Sequence, residues 1–352
     1  MRYAVFYFGM QLSDFDYQLP DELIAQQPLA DRGASRMMTV DRASGAINDR
    51  RFGDLAEMLK SGDVLVLNNT KVFPARLLGR TETGANVEVF LVRETEGPVW
   101  EVLARPARRL PVGKRIVFNV DLAAEVIDKT GDGKLLVQFE AAGDLEKAID
   151  EFGKTPLPPY IKRDSVSPDS DRDRYQTVFA KNRGSIAAPT AGLHFTDDAI
   201  AAISARGVQF LEITLHVGYG TFEPVRVDDI SNHRVSSERY QIGESAAKTL
   251  NEARTDNRRI IAVGTTTTRA LESCVTNHGE FVSGSATADL TITPGYKFKA
   301  VGSLLTNFHL PKSSLLILVS TFAGRQLIMK AYKHAVAERY RFYSYGDCMF
   351  IV

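Results

Sequence analysis

Cysteine is nearly absent from this 352-residue chain: Cys274 and Cys348 stand far apart and form no CxxC pair. That excludes a disulfide framework and a thiolate zinc site, and it fits a reducing cytoplasm. No apolar run approaches the roughly 18 residues that would span a bilayer, so no membrane association is expected. Net charge is also missing, with 43 basic residues against 43 acidic ones. There is therefore no global pull toward nucleic acid, and any such face must be a local patch. The six histidines show no HxxxH or HxH spacing, so no metal site is expected. Neither cysteine sits in a polar, histidine-containing loop, which disfavours covalent nucleophilic catalysis. No methyltransferase glycine motif is present. The remainder is ordinary for a globular protein, at 44% hydrophobic and 24% charged. The length exceeds the roughly 250–300 residues at which single cores stop growing, so two domains are expected.

Residues 1–9, MRYAVFYFG, are apolar and too short for a signal peptide, and read as a disordered N-terminal extension before Met10. Next come a short helix around Asp21–Gln26, a hairpin turning at Ser44-Gly45, a helix over Asp54–Leu59 and a buried strand over Asp63–Leu67. Asn68, Asn69, Thr70 and Lys71 cap that strand with polar groups, lining a site or closing a turn. From Val72 the pattern changes to short alternating runs at Val87–Val92, Val99–Leu103, Arg115–Val120, Ala123–Ile127 and Leu135–Phe139, separated by turn residues. Strands at that spacing predict a small all-β barrel, inserted at 72–155 into an α/β main domain made of 10–71 and 156–352. Arg105, Arg108, Arg109, Lys114 and Arg115 cluster at one barrel turn, either a phosphate-contacting patch or a solvated hairpin tip.

The second half alternates helix and strand, as an α/β domain does. Predicted elements are a mobile loop at 162–175, the helix Asp197–Arg206, the strand Val208–His216, the helix Glu244–Thr255, the strand Arg259–Val263, a helix from Arg269, a strand at Leu315–Val319 and the helix Arg325–Glu338. The stretch GSIAAPTAGLHF, Gly184–Phe195, is built of small residues that let backbone approach a ligand, and it presents His194 just before a Thr196-capped helix. The other reading is a tight buried turn with His194 hydrogen-bonded in the core. GTTTTR at Gly264–Arg269 offers hydroxyls and free N–H groups to a carboxylate or phosphate, or is simply a Thr-capped helix start. His194, His216, His233 and His309 all fall in polar or glycine-rich junctions.

Several ordered motifs carry a family resemblance: FDYQLPDELIAQQP (15–28), DVLVLNNTKVFPARL (63–77), LPPYI (157–161), YQTVFA (175–180) with GSIAAPTAGLHF, HVGYGTFEPV (216–225), AVGTTTTRALE (262–272), TNFHLP (306–311) and YRFYSYGDCMFI (340–351). Together they resemble the S-adenosylmethionine:tRNA ribosyltransferase-isomerase family of queuosine biosynthesis, from about Met10 to the C-terminus. The resemblance implies an α/β domain with an inserted β-barrel, S-adenosylmethionine as co-substrate, and no metal. It implies transfer and isomerisation of the ribosyl group onto 7-aminomethyl-7-deazaguanine at the tRNA wobble position, forming epoxyqueuosine and releasing adenine and methionine. A monomer is expected. Where the family reads H-x-M-H-x-E, this chain has His233-Arg-Val-Ser-Ser-Glu238, with Ser236 at the second histidine. The alternative is a non-catalytic tRNA-binding relative that keeps the fold.

That chemistry needs a base near neutrality to take a proton beside the sulfonium, for which histidine is suited. The catalytic candidates are His194, His216, His233 and His309, with Glu223 and Glu238 as orienter or counter-charge. An aromatic face such as Phe195, Tyr219 or Phe222 suits the sulfonium. Gly264, Thr265, Thr266 and Arg269 are candidates for the methionine carboxylate, with Thr190, Gly192 and Asn307 completing the co-substrate site. Lys71, Arg76, Arg105, Arg108, Arg109 and Lys114 are the candidates that face tRNA.

Overall fold

The computed structural model describes residues 10–131, 133–163 and 169–352, so the expected N-terminal extension lies outside the described residues. The chain forms two compact units, one of residues up to Thr70 with Thr177–Asn182 and Pro189–Val352, the other of Lys71–Gln176 and Arg183–Ala188. The second unit takes in more chain than the 72–155 read from composition. Part of the reason is the stretch expected as a mobile loop: Asp169–Arg174 is helical, and buried Asp171 holds the Arg163 guanidinium at 2.8 Å.

The first unit is built on a nine-stranded mixed sheet. Its order is Gly284–Ala288, Glu238–Ile242, Gln209–Leu215, Val64–Asn68, Ile260–Val263, Ser303–Asn307, Cys348–Ile351, Arg36–Val40 and Ile47–Arg51. The four strands from Gln209–Leu215 to Ser303–Asn307 are mutually parallel, and antiparallel strands flank them. Parallel strands are buried on both faces, which is why Val64–Asn68 and Ile260–Val263 read as unbroken apolar runs. Leu65, Leu67, Ile261, Val263 and Leu305 share one face, and Phe52, Phe179 and Phe195 pack against it. The second unit is a closed barrel of six antiparallel strands: Arg76–Thr81, Asn86–Glu94, Val99–Arg105, Arg115–Val117, Leu122–Lys129 and Leu135–Ala141. The expected α/β fold with a β-barrel insertion is what the chain adopts.

Three local readings are corrected. The run expected as a strand at Leu315–Val319 lies in a buried helix, Ser314–Ala323. A short apolar run has no polar face to reveal its period. The decisive signals are the cap, where the Ser313 hydroxyl accepts the Leu316 N–H at 3.2 Å, and the stop at Gly324. The helix expected from Arg269 starts four residues earlier, at Thr265. Threonine disfavours helix interiors, but Thr267 and Thr268 donate their hydroxyls back to the carbonyls of Val263 and Gly264, at 2.7 and 3.1 Å. Around Asp21 only one 3₁₀ turn, Asp21–Leu23, forms.

Candidate functional site at the carboxyl ends of the parallel strands

The four parallel strands bring separate motifs to one edge. In sheet order their carboxyl ends deliver His216, Asn68, Gly264 and Asn307. In open α/β sheets this edge is where ligands bind. Asn68 is spent on the scaffold: its amide donates to the Leu215 carbonyl at 2.9 Å, and its oxygen accepts from the Leu215 and Thr70 N–H groups. Asn69 is likewise tied to Thr214, Asn182 and Glu212. The polar cap after the buried strand is therefore a closed turn.

At Gly264 the chain turns (φ 94°) into the helix Thr265–His278, whose first amides have no partner within the helix. Thr266 is 7% exposed, and its hydroxyl is buried with no hydrogen-bond partner. The Thr190–His194 3₁₀ segment lies over this turn, with the Ala191 methyl 3.8 Å from where a Cβ on Gly264 would stand. The same segment delivers His194 to Asn307 on the neighbouring strand, which is 2% exposed. The Asn307 amide donates to the Tyr343 carbonyl at 3.0 Å, which fixes it as the nitrogen and leaves its oxygen Oδ1 buried without a partner. Of the two unsatisfied oxygens, one thus sits at the end of the strand Ser303–Asn307 and the other in the first turn of the helix that leaves the neighbouring strand. The pair Val263 and Leu305 is the last in register before the turn, so Gly264 stands beside Thr306, one residue before Asn307.

The Asn307 amide also reaches His194 Nε2 at 3.2 Å, while His194 Nδ1 meets the Ser35 hydroxyl at 2.8 Å. An amide N–H can only donate, so Nε2 accepts and the proton lies on Nδ1. Burial, with the Arg341 and Arg32 charges, pushes the His194 imidazole down to about 4. Both ring nitrogens are engaged and the ring rests beside Phe52, with centroids 5.5 Å apart. His309 follows the same strand, but its Nε2 bonds to Thr306 at 2.9 Å. Thr306 and Asn307 point to opposite faces, so His309 lies across the sheet from His194. Burial pushes its imidazole down to about 3.

His216 and His233 are held at one nitrogen each. His216 Nδ1 meets the Thr70 hydroxyl at 2.8 Å, and the ring is half-buried. Among the described residues no group takes its Nε2. Burial, then the Arg239 charge, holds its imidazole below the usual value. His233 Nε2 meets the Ser314 hydroxyl at 2.8 Å, and burial, Arg234 and Arg269 lower its imidazole too. Glu238 and Arg269 form a buried ion pair at 2.7 Å. The other Glu238 oxygen accepts the Gly218 N–H at 3.1 Å, which fixes the start of the turn Tyr219–Phe222.

Several expected contacts are redistributed. Gly192 admits protein: a Cβ there would stand 2.7 Å from the Phe179 ring and 2.8 Å from the Thr177 methyl. Phe195 is fully buried against Phe52, Phe179 and Phe210, so it offers no face to a sulfonium. The Arg269 guanidinium is consumed by Glu238 and the carbonyls of Ser236 and Ala288, which removes it from carboxylate binding. Thr190 and Tyr219 are half-buried, and the side chain of Phe222 lies outside the described residues. In the barrel unit Arg76 is clamped by both oxygens of Glu88, and Lys114 faces Glu82 at 3.9 Å. Lys71, Arg105, Arg108 and Arg109 are exposed, with no ion-pair partner among the described residues. Also among the described residues, no group of three or more His, Cys, Asp or Glu side chains could hold a metal ion. No single helix there is long and apolar enough to cross a membrane.

Sequence reasoning missed Ser35, Phe52 and Ser314, which hold His194 and His233. They come from distant segments and no local spacing announces them. Thr70 was visible only as part of a polar cap.

Fold and site define an α/β protein with a β-barrel insertion and a polar, partly unsatisfied strand edge. The family of queuosine biosynthesis proteins matches residues 12–351, and the chain belongs to that family. It is 49% identical to the S-adenosylmethionine:tRNA ribosyltransferase-isomerase of Syntrophotalea carbinolica and 50% identical to that of Caldanaerobacter subterraneus subsp. tengcongensis, each over 97% of this chain and all of the relative. The crystal structure of an S-adenosylmethionine tRNA ribosyltransferase from Thermotoga maritima is 37% identical, with a TM-score of 0.55, covering 97% of this chain and all of that one.

The buried neutral histidines set a pH dependence. The His194 imidazole sits at about 4 in the fold against about 6.5 in an unfolded chain, so between those values the unfolded state binds the extra proton. Stability is fully present above about pH 6.5 and falls as pH drops toward 4, by roughly 3 kcal/mol from this group. Urea titrations from pH 7 to 4 should show that loss, and His194→Gln should flatten the slope. An unaltered slope in the variant would contradict the assignment.

Proposed function

We propose that this chain transfers and isomerises the ribosyl group of S-adenosylmethionine onto 7-aminomethyl-7-deazaguanine at the tRNA wobble position, forming epoxyqueuosine and releasing adenine and methionine. The observation that carries the reading, beside the family, is the pair of orphaned buried oxygens on Thr266 and Asn307 next to a helix N-terminus. A methionine moiety supplies what each lacks. Its carboxylate takes the Thr266 hydroxyl and the first helix amides, and its ammonium donates to Asn307 Oδ1.

His216 is the proposed base. His194 is held at both ring nitrogens and His309 lies across the sheet, bonded to Thr306 through Nε2, whereas His216 at the strand edge keeps Nε2 available. Its lowered imidazole is neutral at pH 7 and able to accept a proton from the 5′-carbon beside the sulfonium. Thr70 anchors the opposite nitrogen and sets the ring's direction. The Glu238–Arg269 pair positions this loop through Gly218 and touches no substrate. On the barrel unit, Arg105, Arg108 and Arg109 supply a basic patch for the phosphates of tRNA.

Adenine release from S-adenosylmethionine should require tRNA carrying the 7-aminomethyl base. It should fall by about a hundredfold or more in His216→Gln. Wild-type protein that binds this tRNA without releasing adenine would instead favour a non-catalytic relative, and an active His216→Gln would remove the proposed base. Arg108→Glu with Arg109→Glu should weaken tRNA binding and lower the salt slope by about two, one unit for each lost phosphate contact. An unchanged slope would take the barrel patch out of tRNA docking.

A further inference from the structure

A cavity of about 220 Å³ opens beside the turn Tyr219–Phe222, on the main unit. Gly220, Glu223, Arg226, His233, Arg234 and Ser236 line it. Its size is below the roughly 300–1,000 Å³ typical of sites for drug-sized ligands, so it suits one ring system better than a whole S-adenosylmethionine. Two side chains converge over Gly220. A Cβ on that residue would lie 2.2 Å from the Ser236 hydroxyl and 3.7 Å from Glu223 Oε2. Glycine at this position lets the Ser236 side chain lie against the backbone of the turn. Neither the Glu223 carboxylate nor the Ser236 hydroxyl has a partner among the described residues. The opposite wall is stiff, because His233 is tied to Ser314 and the Arg234 guanidinium to the carbonyls of Ser231 and His233, at 2.8 and 2.7 Å.

The charge pattern selects among ligands. A phosphate would face the Glu223 carboxylate at short range, which disfavours it. A guanine-type edge presents two adjacent N–H donors, and one carboxylate accepts both. An enzyme that modifies a base in RNA must bring it out of the stack into a pocket, and cations at the rim suit the phosphates on either side. We propose that this cavity receives the target base of the tRNA, with Glu223 accepting the two N–H donors of its guanine-type edge, Ser236 beside it, and Arg226 and Arg234 outside. The assignment rests on the reading of the chain as a tRNA-modifying protein. It gives Glu223 a recognition role in place of the counter-charge role expected from sequence.

Binding is measured without turnover, by comparing tRNA bearing the 7-aminomethyl base with the same tRNA made abasic at that position. Wild-type protein should prefer the base-bearing tRNA. Glu223→Gln should lose that preference, with affinity for base-bearing tRNA falling about ten- to a hundredfold while the Kd for S-adenosylmethionine stays within about twofold. Ser236→Trp, which fills the cavity without touching its charge, should have the same effect. Tighter tRNA binding by Glu223→Gln would mark a phosphate seat and overturn the proposal. So would weakened S-adenosylmethionine binding, or retention of the base preference in both variants. These outcomes do not depend on whether adenine is released, so they stand or fall separately from the proposed reaction.

Discussion

The buried ion pair between Arg269 and Glu238 is the constraint on which the rest of the main unit's functional edge depends. Arg269 leaves the second turn of the helix Thr265–His278 and spends its donors on Glu238 and on the carbonyls of Ser236 and Ala288. It thereby locks the helix start to the two antiparallel strands at that end of the sheet. Glu238 passes the constraint on by accepting the Gly218 N–H, which seats the loop after His216. Breaking such a pair from one side costs about 3–5 kcal/mol, because a charge is left buried alone. Helix start, the loop after His216 and the cavity beside Gly220 are therefore positioned by one guanidinium.

The strand end at Asn307 and the helix start at Thr266 use the opposite tactic and leave polar groups unsatisfied. Several side chains near the carboxyl edge are closed off: Asn68 imitates backbone, Thr267 and Thr268 bond to the preceding turn, and His194 is held at both nitrogens. Against that background the bare oxygens of Thr266 and Asn307 stand out. A buried polar atom without a partner costs about 1–3 kcal/mol, which is tolerated where a ligand later supplies the bond.

Much of the fold was legible in the sequence. The barrel strands showed because short runs of period two alternate with turn residues, and the helix Glu244–Thr255 showed through its polar outer face. The helix Ser314–Ala323 did not, since four successive buried residues, Leu316 to Val319, carry no periodic signal. The start at Thr265 was hidden because threonine propensity argues against a helix and tertiary contacts override it. For the site, the motifs lie in segments that the structure brings to one strand edge, while several residues within them are taken up by contacts inside the protein. Small residues in GSIAAPTAGLHF suggested ligand approach, yet Gly192 makes room for Phe179 and Thr177. A histidine before a helix suggested a base, yet His194 is a structural link between Ser35 and Asn307. Such distinctions rest on contacts between distant segments, which spacing along the chain does not encode.

The most direct test of the account is a crystal structure of the protein with S-adenosylmethionine bound. The methionine end of the ligand is expected at the carboxyl edge, its carboxylate on the Thr266 hydroxyl and helix amides, its ammonium on Asn307 Oδ1, and the Gly220 cavity left free. Density for the ligand in the Gly220 cavity, or with Thr266 and Asn307 untouched, would contradict it.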